Sequence, residues 1–398
     1  DNALLIASIA LLAELHGPAW MTPLLKFFFT VSYVLLAAFV GAFADSMPKG
    51  RVMFYTNGVK IIGCLMMFFY DWLHLPGTAP YVTVLLAYAV VGLGAAAYSP
   101  AKYGILTELL PPEQLVVANG WIEGLTVISI ILGTVLGGAL VSPHVSAMLL
   151  SIDIPVIDTG VDSPAEAAIL VIAVFYVIAA AFNLYIPDTG ARYAKQQANP
   201  IELARHFWHC QTTLWSDKLG QISLGVTTLF WGAGATLQFI VLRWADSHLG
   251  LRLDKAAALQ GVTAVGIALG AVLAARLIPL KNSLSVLGFG VAMGLVVMVM
   301  TLVSSMPLVY GLLVLIGALA GFFVVPMNAL LQHRGNENIS ILVMLALYSA
   351  MIKADYHINT IIICFGGFVS LTMIGVIRRH RYNQSKFNSL HLIGMDKH

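Results

Sequence analysis

A few polar side chains stand inside long apolar runs. Each is expensive to place in lipid unless it faces a cavity or a partner. Asp1 and Asn2 open the run "DNALLIASIALLAEL". A carboxylate beside an amide suits contact with a polar headgroup or a coupling cation; the same two residue types are favoured helix N-caps in water. Lys60 lies nine residues after Arg51, part-way along an apolar helix. It either pairs with an acid in the bundle or snorkels to the membrane edge. Glu123 is the charge within "VVANGWIEGLTVISIILGTVLGGAL", with Asn119 four residues earlier on the same helical face. It reads as a structural ion-pair partner, to Lys102 or Lys60, or as a gating or coupling acid. In "ISLGVTTLFWGAGATLQFIVLRW", Gln238 is a candidate substrate contact or interhelical glue. Arg243 is a phosphate ligand or an interfacial snorkelling cation, and Asn328, after Pro326, is a weaker candidate of the same kind. The glycines of "WGAGAT" permit close packing or a local break of the helix.

Enzyme chemistry finds little support. There is no GxxxxGK[ST], HExxH or GxSxG. One His-x4-Asp spacing, His391 to Asp396, falls in the last eight residues with no domain around it, and is read as chance. The three cysteines, Cys64, Cys210 and Cys364, are far apart, which disfavours a disulfide or metal site. No cofactor is expected.

Composition explains the scarcity of charge. Apolar residues make up 59% of the 398 and charged residues 10%, with a mean hydropathy of +0.87. Soluble domains carry about 25% charged residues. A net charge of +2 without a dense basic stripe excludes nucleic-acid binding. The chain is a membrane protein, and its apolar runs predict helices over 1–15, 23–44, 52–71, 81–100, 115–140, 166–186, 219–245, 258–277, 283–303, 308–331, 338–354 and 358–377. The first run is shorter than the roughly 20 residues a span needs, so the chain is expected to begin inside its first helix.

Most of the 21 Lys and Arg fall in alternate loops and the tail: Lys49, Arg51, Lys102, the 187–218 loop, Arg276, Lys281, Arg334 and Arg378 onward. The positive-inside rule then places both termini in the cytoplasm. The stretch Ser142 to Glu166 has no Lys or Arg, which suits the outside. The long basic stretch 187–218 divides the chain into a half over 1–186 and a half over 219–377, with a tail over 378–398. Within the stretch, "IELARHFWHCQTTLW" reads as a surface-lying amphipathic helix. The halves carry a weak repeat. "GLGAAAYSPAKYGIL" from Gly92 aligns with "ALAGFFVVPMNALLQ" from Ala318, matching Pro100 with Pro326 and Lys102 with Asn328. "GAFADSMPKGR" from Gly41 has a poorer counterpart in "GAVLAARLIPLK" from Gly270.

Two six-helix repeats resemble the plan of a major facilitator transporter: an all-α membrane protein of twelve transmembrane helices in two pseudo-repeat halves. Gly41-x-x-x-Asp45, followed by Lys49, Gly50 and Arg51, resembles that superfamily's loop signature. There a glycine permits close helix approach and the acid pairs with basic groups at helix ends. Pro100 is expected to end or kink the fourth helix, and "PPEQ" to turn the chain and start the fifth. Lys102 and Glu123 then form a candidate cytoplasmic gate.

"DNALL", "ADSMPKGRVMFYTNGVK", "GLGAAAYSPAKYGILTELL", "VVANGWIEG", "LFWGAGATLQF" and "AGFFVVPMNALLQHRG" are similar to the bacterial lysophospholipid transporter (LplT) family over nearly the whole chain. The resemblance implies a flippase of the Gram-negative inner membrane. It would carry lysophospholipids, chiefly lysophosphatidylethanolamine, from the outer to the inner leaflet, where an acyl-acyl carrier protein synthetase/acyltransferase re-acylates them. By the matching motif, Asp1 and Asn2 become the headgroup pair, with Lys102 and Glu123 nearby. Two departures stand out: Gln238 occupies a position where family members carry Arg, and residues are expected between Gly335 and Asn336. A drug or small-solute exporter of the same fold, a membrane scaffold and a membrane acyltransferase are the alternatives. A monomer is the fold-level expectation.

Overall fold

The computed structural model describes residues 1–73, 79–110, 112–151, 161–191, 199–216, 218–278, 285–332 and 339–387. Among them the regular structure is helical. The first part of the chain forms α1 (Asn2–Glu14), α2 (Thr22–Leu36), α3 (Val40–Asp45), α4 (Lys49–Phe68), α5 (Tyr70–Leu73) and α6 (Pro80–Leu109). Then come α7 (Pro112–Leu140), α8 (Pro143–Leu150), α9 (Pro164–Asn183) and α10 (Pro200–Ser216). The remainder holds α11 (Lys218–Leu249), α12 (Leu253–Leu277), α13 (Leu287–Val299), α14 (Met306–Gln332), α15 (Ile339–Lys353) and α16 (Ile358–Phe387).

Among the described residues six helices are long and apolar enough to cross a membrane. The end of α7 and α8, bent by 66° to one another, add a seventh if they count as one span. The polar residues Lys49, Arg51 and Lys60 lie on α4, which is not among the six.

Several boundaries differ from those expected. Pro100 does not end its helix: α6 runs through it to Leu109. Proline removes one donor and crowds the carbonyl four residues back, a cost that surrounding packing can absorb. Its counterpart Pro326 likewise lies inside α14. The run 23–44 is interrupted between Leu36 and Val40, and no breaker residue marks the place. The helix expected to stop at 377 continues to Phe387, because the basic and polar residues beyond the apolar run are good helix formers. The start of α9 is set by a capping box, which puts it at Pro164. The Ser163 hydroxyl accepts from the Glu166 N–H, and the Glu166 carboxylate accepts from the Ser163 N–H. From α1, Glu14 accepts the Ala165 N–H at 3.2 Å, tying the end of α1 to the start of α9. The glycine-rich "WGAGAT" does not break α11, which is continuous from Lys218 to Leu249.

The chain forms two compact units. The first comprises Asp1–His206 with Leu253–Ala258; the second comprises Phe207–Arg252 with Leu259–His398. In the first, α4 packs on α6 and α9, α1 on α7 and α9, and α2 on α6. In the second, α13 packs on α14 and α16, and α11 on α15 and α16. Substituting α1, α4, α6, α7 and α9 by α11, α13, α14, α15 and α16 converts one set of neighbours into the other. The repeat read from sequence is thus a repeat of packing. The α2–α6 seam has its equivalent in α12–α14. A β-carbon on Gly92 would lie 2.6 Å from the Phe29 carbonyl oxygen, and one on Gly317 would overlap that of Thr263. Without a hydrophobic drive between lipid-facing helices, such close backbone approach is what supplies van der Waals contact.

Candidate functional site

Four helices converge on Asp1 in the first unit. Lys60, near the middle of α4, places its Nζ 3.0 and 3.2 Å from the two Asp1 carboxylate oxygens. Tyr176 of α9 donates its hydroxyl to Asp1 Oδ1 at 2.5 Å. Tyr88 of α6 donates to the Asp1 carbonyl oxygen at 3.4 Å. The Lys60 ammonium also sits over two rings, 5.1 Å from the centre of Tyr98 and 5.4 Å from that of Tyr176. The Lys60 side chain is 8% exposed, so the pair is enclosed from the lysine side.

This geometry resolves two alternatives. Asp1 is the N-cap of α1, but its side chain makes no capping bond. It spends its acceptors on Lys60 and Tyr176 instead. Lys60 does not snorkel: it is buried and paired. Isolated burial of either charge would be prohibitive, and the pair with its phenol donor and aromatic walls satisfies both. Chemically, the cluster offers a carboxylate to a cation and an ammonium to an anion.

The helix-end signature forms a second cluster. Lys49 Nζ reaches Asp45 Oδ1 at 2.6 Å, the Ala44 carbonyl at 2.9 Å and Glu108 Oε1, at the end of α6, at 3.6 Å. Glu108 Oε2 accepts the Thr189 hydroxyl at 2.6 Å. A small core of Ala44, Val52, Met53, Ala101 and Ile105 supports these groups. Asp45 therefore pairs with Lys49 of the signature, and Arg51 is exposed. The close approach belongs to Gly50, where a β-carbon would meet the Asn183 carbonyl at 2.9 Å, and not to Gly41, which has nothing within 4 Å.

The other candidates are scattered. Asn2 is half-buried against Gly133 of α7. Lys102 donates to Thr126 of α7 at 2.6 Å and lies 5.0 Å over the Tyr103 ring. Lys60 pairs with Asp1, the acid in the bundle that was one of its expected partners. The side chains of Asn119, Glu123 and Asn328 lie outside the described residues, as does the Gly335–Asn336 junction. In the second unit, Gln238 is half-buried, and its main-chain oxygen accepts the Gln260 amide of α12 at 2.8 Å. Arg243 is half-buried. Among the described residues no three His, Cys, Asp or Glu side chains group as metal ligands would.

Sequence reasoning missed Tyr88, Tyr98, Tyr176, Glu108 and Gln260. Glu108 was legible as an acid at a helix end. The tyrosines carried no signal, because an aromatic residue in an apolar helix is ordinary core.

Residues 1–354 match the family model of the Major Facilitator Superfamily. The chain is 40% identical over 370 residues to a "Lysophospholipid transporter LplT" of Yersinia enterocolitica, covering 89% of this chain and 84% of the relative. It is 41% identical to the protein of that name in Yersinia pestis strain Pestoides F, over 89% and 83% of the two chains. Solved structures of similar fold include a nucleoside transporter, NupG, with TM-score 0.64 and 12% identity over 95% of this chain and 94% of that one. Another is a bacterial homologue of the iron transporter ferroportin, with TM-score 0.61 and 15% identity over 94% of each chain. These families consist of transport proteins and not of enzymes. A multi-pass helical chain with duplicated packing and this degree of identity belongs to the major facilitator superfamily and, within it, to the lysophospholipid transporter family.

Proposed function

We propose that the protein is a lysophospholipid flippase of a bacterial inner membrane, with both termini in the cytoplasm. It moves lysophosphatidylethanolamine and related lysophospholipids from the outer to the inner leaflet by alternating access. The observation that carries this reading is the buried Asp1–Lys60 pair with its Tyr176 donor, in a chain whose relatives bear the transporter name.

A zwitterionic headgroup presents an ammonium and a phosphate a few ångströms apart. The pair matches it by partner exchange. Asp1 takes the ammonium; Lys60 turns from Asp1 to the phosphate; Tyr176 stays on the carboxylate. Charge-assisted hydrogen bonds replace one another, so neither charge is left bare in a low-dielectric interior. The acyl chain remains in lipid throughout. Rocking of one half against the other then exposes the headgroup to the inner side. Lys102 and Glu123 act as a gate, and the Asp45–Lys49–Glu108 cluster closes that end of the first half. Gln238, Arg243 and Asn328 supply contacts from the second half. The delivered lipid is a substrate for an acyl-acyl carrier protein synthetase/acyltransferase, and the transporter works as a monomer.

The test is uptake of labelled lysophosphatidylethanolamine into spheroplasts lacking other importers. Unsubstituted protein is compared with expression-matched Asp1→Ala and Glu123→Ala variants. Protein-dependent uptake that collapses with Asp1→Ala is the expected result. No protein-dependent uptake refutes the lipid reading and points to export of drugs or small polar solutes. Uptake that survives both substitutions keeps the function and discards the site.

A further inference from the structure

We infer that Lys26 is a second cationic contact of the same headgroup site, and that it favours headgroups of net negative charge; this rests on the lysophospholipid reading above. Lys26 lies one turn into α2 and is half-buried. Its Nζ sits 5.0 Å from the centre of the Phe29 ring. Phe29 packs on Tyr88, ring centres 5.4 Å apart, and the Tyr88 hydroxyl bonds to the Asp1 carbonyl. A cation over a ring, a ring on a ring and a hydroxyl on a carbonyl therefore join Lys26 to Asp1 within one unit.

The charges do not balance. Two ammonium groups, Lys26 and Lys60, share this chain of contacts with one carboxylate, Asp1. Among the described residues no carboxylate lies within ion-pair distance of Lys26. An aromatic face compensates a buried cation only in part. A phosphodiester with no amine supplies the missing charge: it binds Lys26 while the Asp1–Lys60 pair stays closed, and the sum is neutral. A zwitterionic headgroup opens that pair and leaves one positive charge over. The two headgroup classes thus differ in their need for Lys26.

Spheroplasts are given lysophosphatidylethanolamine and lysophosphatidylglycerol together, with distinguishable labels, and the uptake ratio is read in each sample. The ratio is independent of expression level. Lys26→Gln is expected to lower uptake of the glycerol lipid relative to the ethanolamine lipid by about tenfold, equivalent to about 1.4 kcal/mol. Lys26→Arg retains the ratio. Lys26→Met, which keeps the apolar stem, gives the same readout should the glutamine variant fail to accumulate. A ratio within twofold of the unsubstituted protein in both neutral variants overturns the inference, as does an equal loss of both lipids. If the unsubstituted protein takes up neither lipid, the lysophospholipid reading itself has failed, a result distinct from an unchanged ratio.

Discussion

Removing Asp1 is expected to damage the protein more than removing Lys60, and removing both is expected to cost less than the two losses added. At 3.0 Å the pair attracts by about 5 kcal/mol at an effective dielectric of about 20. Desolvation offsets most of that, leaving a net coupling of about 1–3 kcal/mol. In Asp1→Ala, Lys60 stays buried with its charge unpaired. The rings of Tyr98 and Tyr176 remain as its only described company, so the expected loss is about 2–4 kcal/mol. In Lys60→Met, Asp1 keeps the Tyr176 hydroxyl, and the loss is about 1–2 kcal/mol. The measurement is reversible unfolding of the full-length protein in detergent micelles, followed by tryptophan fluorescence, across the double-mutant cycle. Single losses that add within about 0.5 kcal/mol would show that the pair is not energetically coupled. Lys60→Met costing more than Asp1→Ala would refute the assignment of Lys60 as the enclosed partner.

Three further outcomes follow from the same geometry. Tyr176→Phe keeps the ring under Lys60 and deletes one bond to a carboxylate. Stability should fall by about 1–2 kcal/mol, and lysophosphatidylethanolamine uptake should fall with it; an unchanged melting curve would remove Tyr176 from the cluster. Gly317→Ala forces a methyl into the Thr263 carbonyl of α12 and should cost about 1–3 kcal/mol, whereas Gly41→Ala, with open space, should change stability by less than about 0.5 kcal/mol; equal effects would deny the seam. Glu108→Gln weakens the Lys49 contact and the Thr189 bond together and should cost about 1–2 kcal/mol of stability; an unchanged unfolding curve would mean that the two contacts contribute nothing.

The charged residues inside apolar runs were legible as candidates, and Asp1 and Lys60 pair within the first unit. Their pairing was not legible. Lys60 had three candidate fates on sequence grounds, a pair with Glu123, another acid or the membrane edge, and its true partner stands 59 positions away. Pro100 misled in the other direction. Local propensity marks it as a breaker, yet α6 continues because packing against α2 and α4 outweighs one missing hydrogen bond. The loop signature pointed to Asp45 and Lys49, which pair, but to Gly41 for the close approach that Gly50 makes. Glycine spacing tells that helices approach closely and not which residue lies at the crossing.

What the sequence by itself determined is the solvent and the alphabet. An apolar chain with 10% charged residues lies in a membrane, its apolar runs of about 20 residues have the length of spanning helices, and its few ionisable residues must find company inside. The repeated proline-bearing segments and family motifs also lie in the linear order. Tertiary structure alone decided which company they keep. Tyr176, 175 positions from Asp1, supplies the third bond to its carboxylate because α1, α4 and α9 meet at one level. Helical periodicity fixes the face on which a side chain emerges; only the packing of other helices fixes what stands opposite that face.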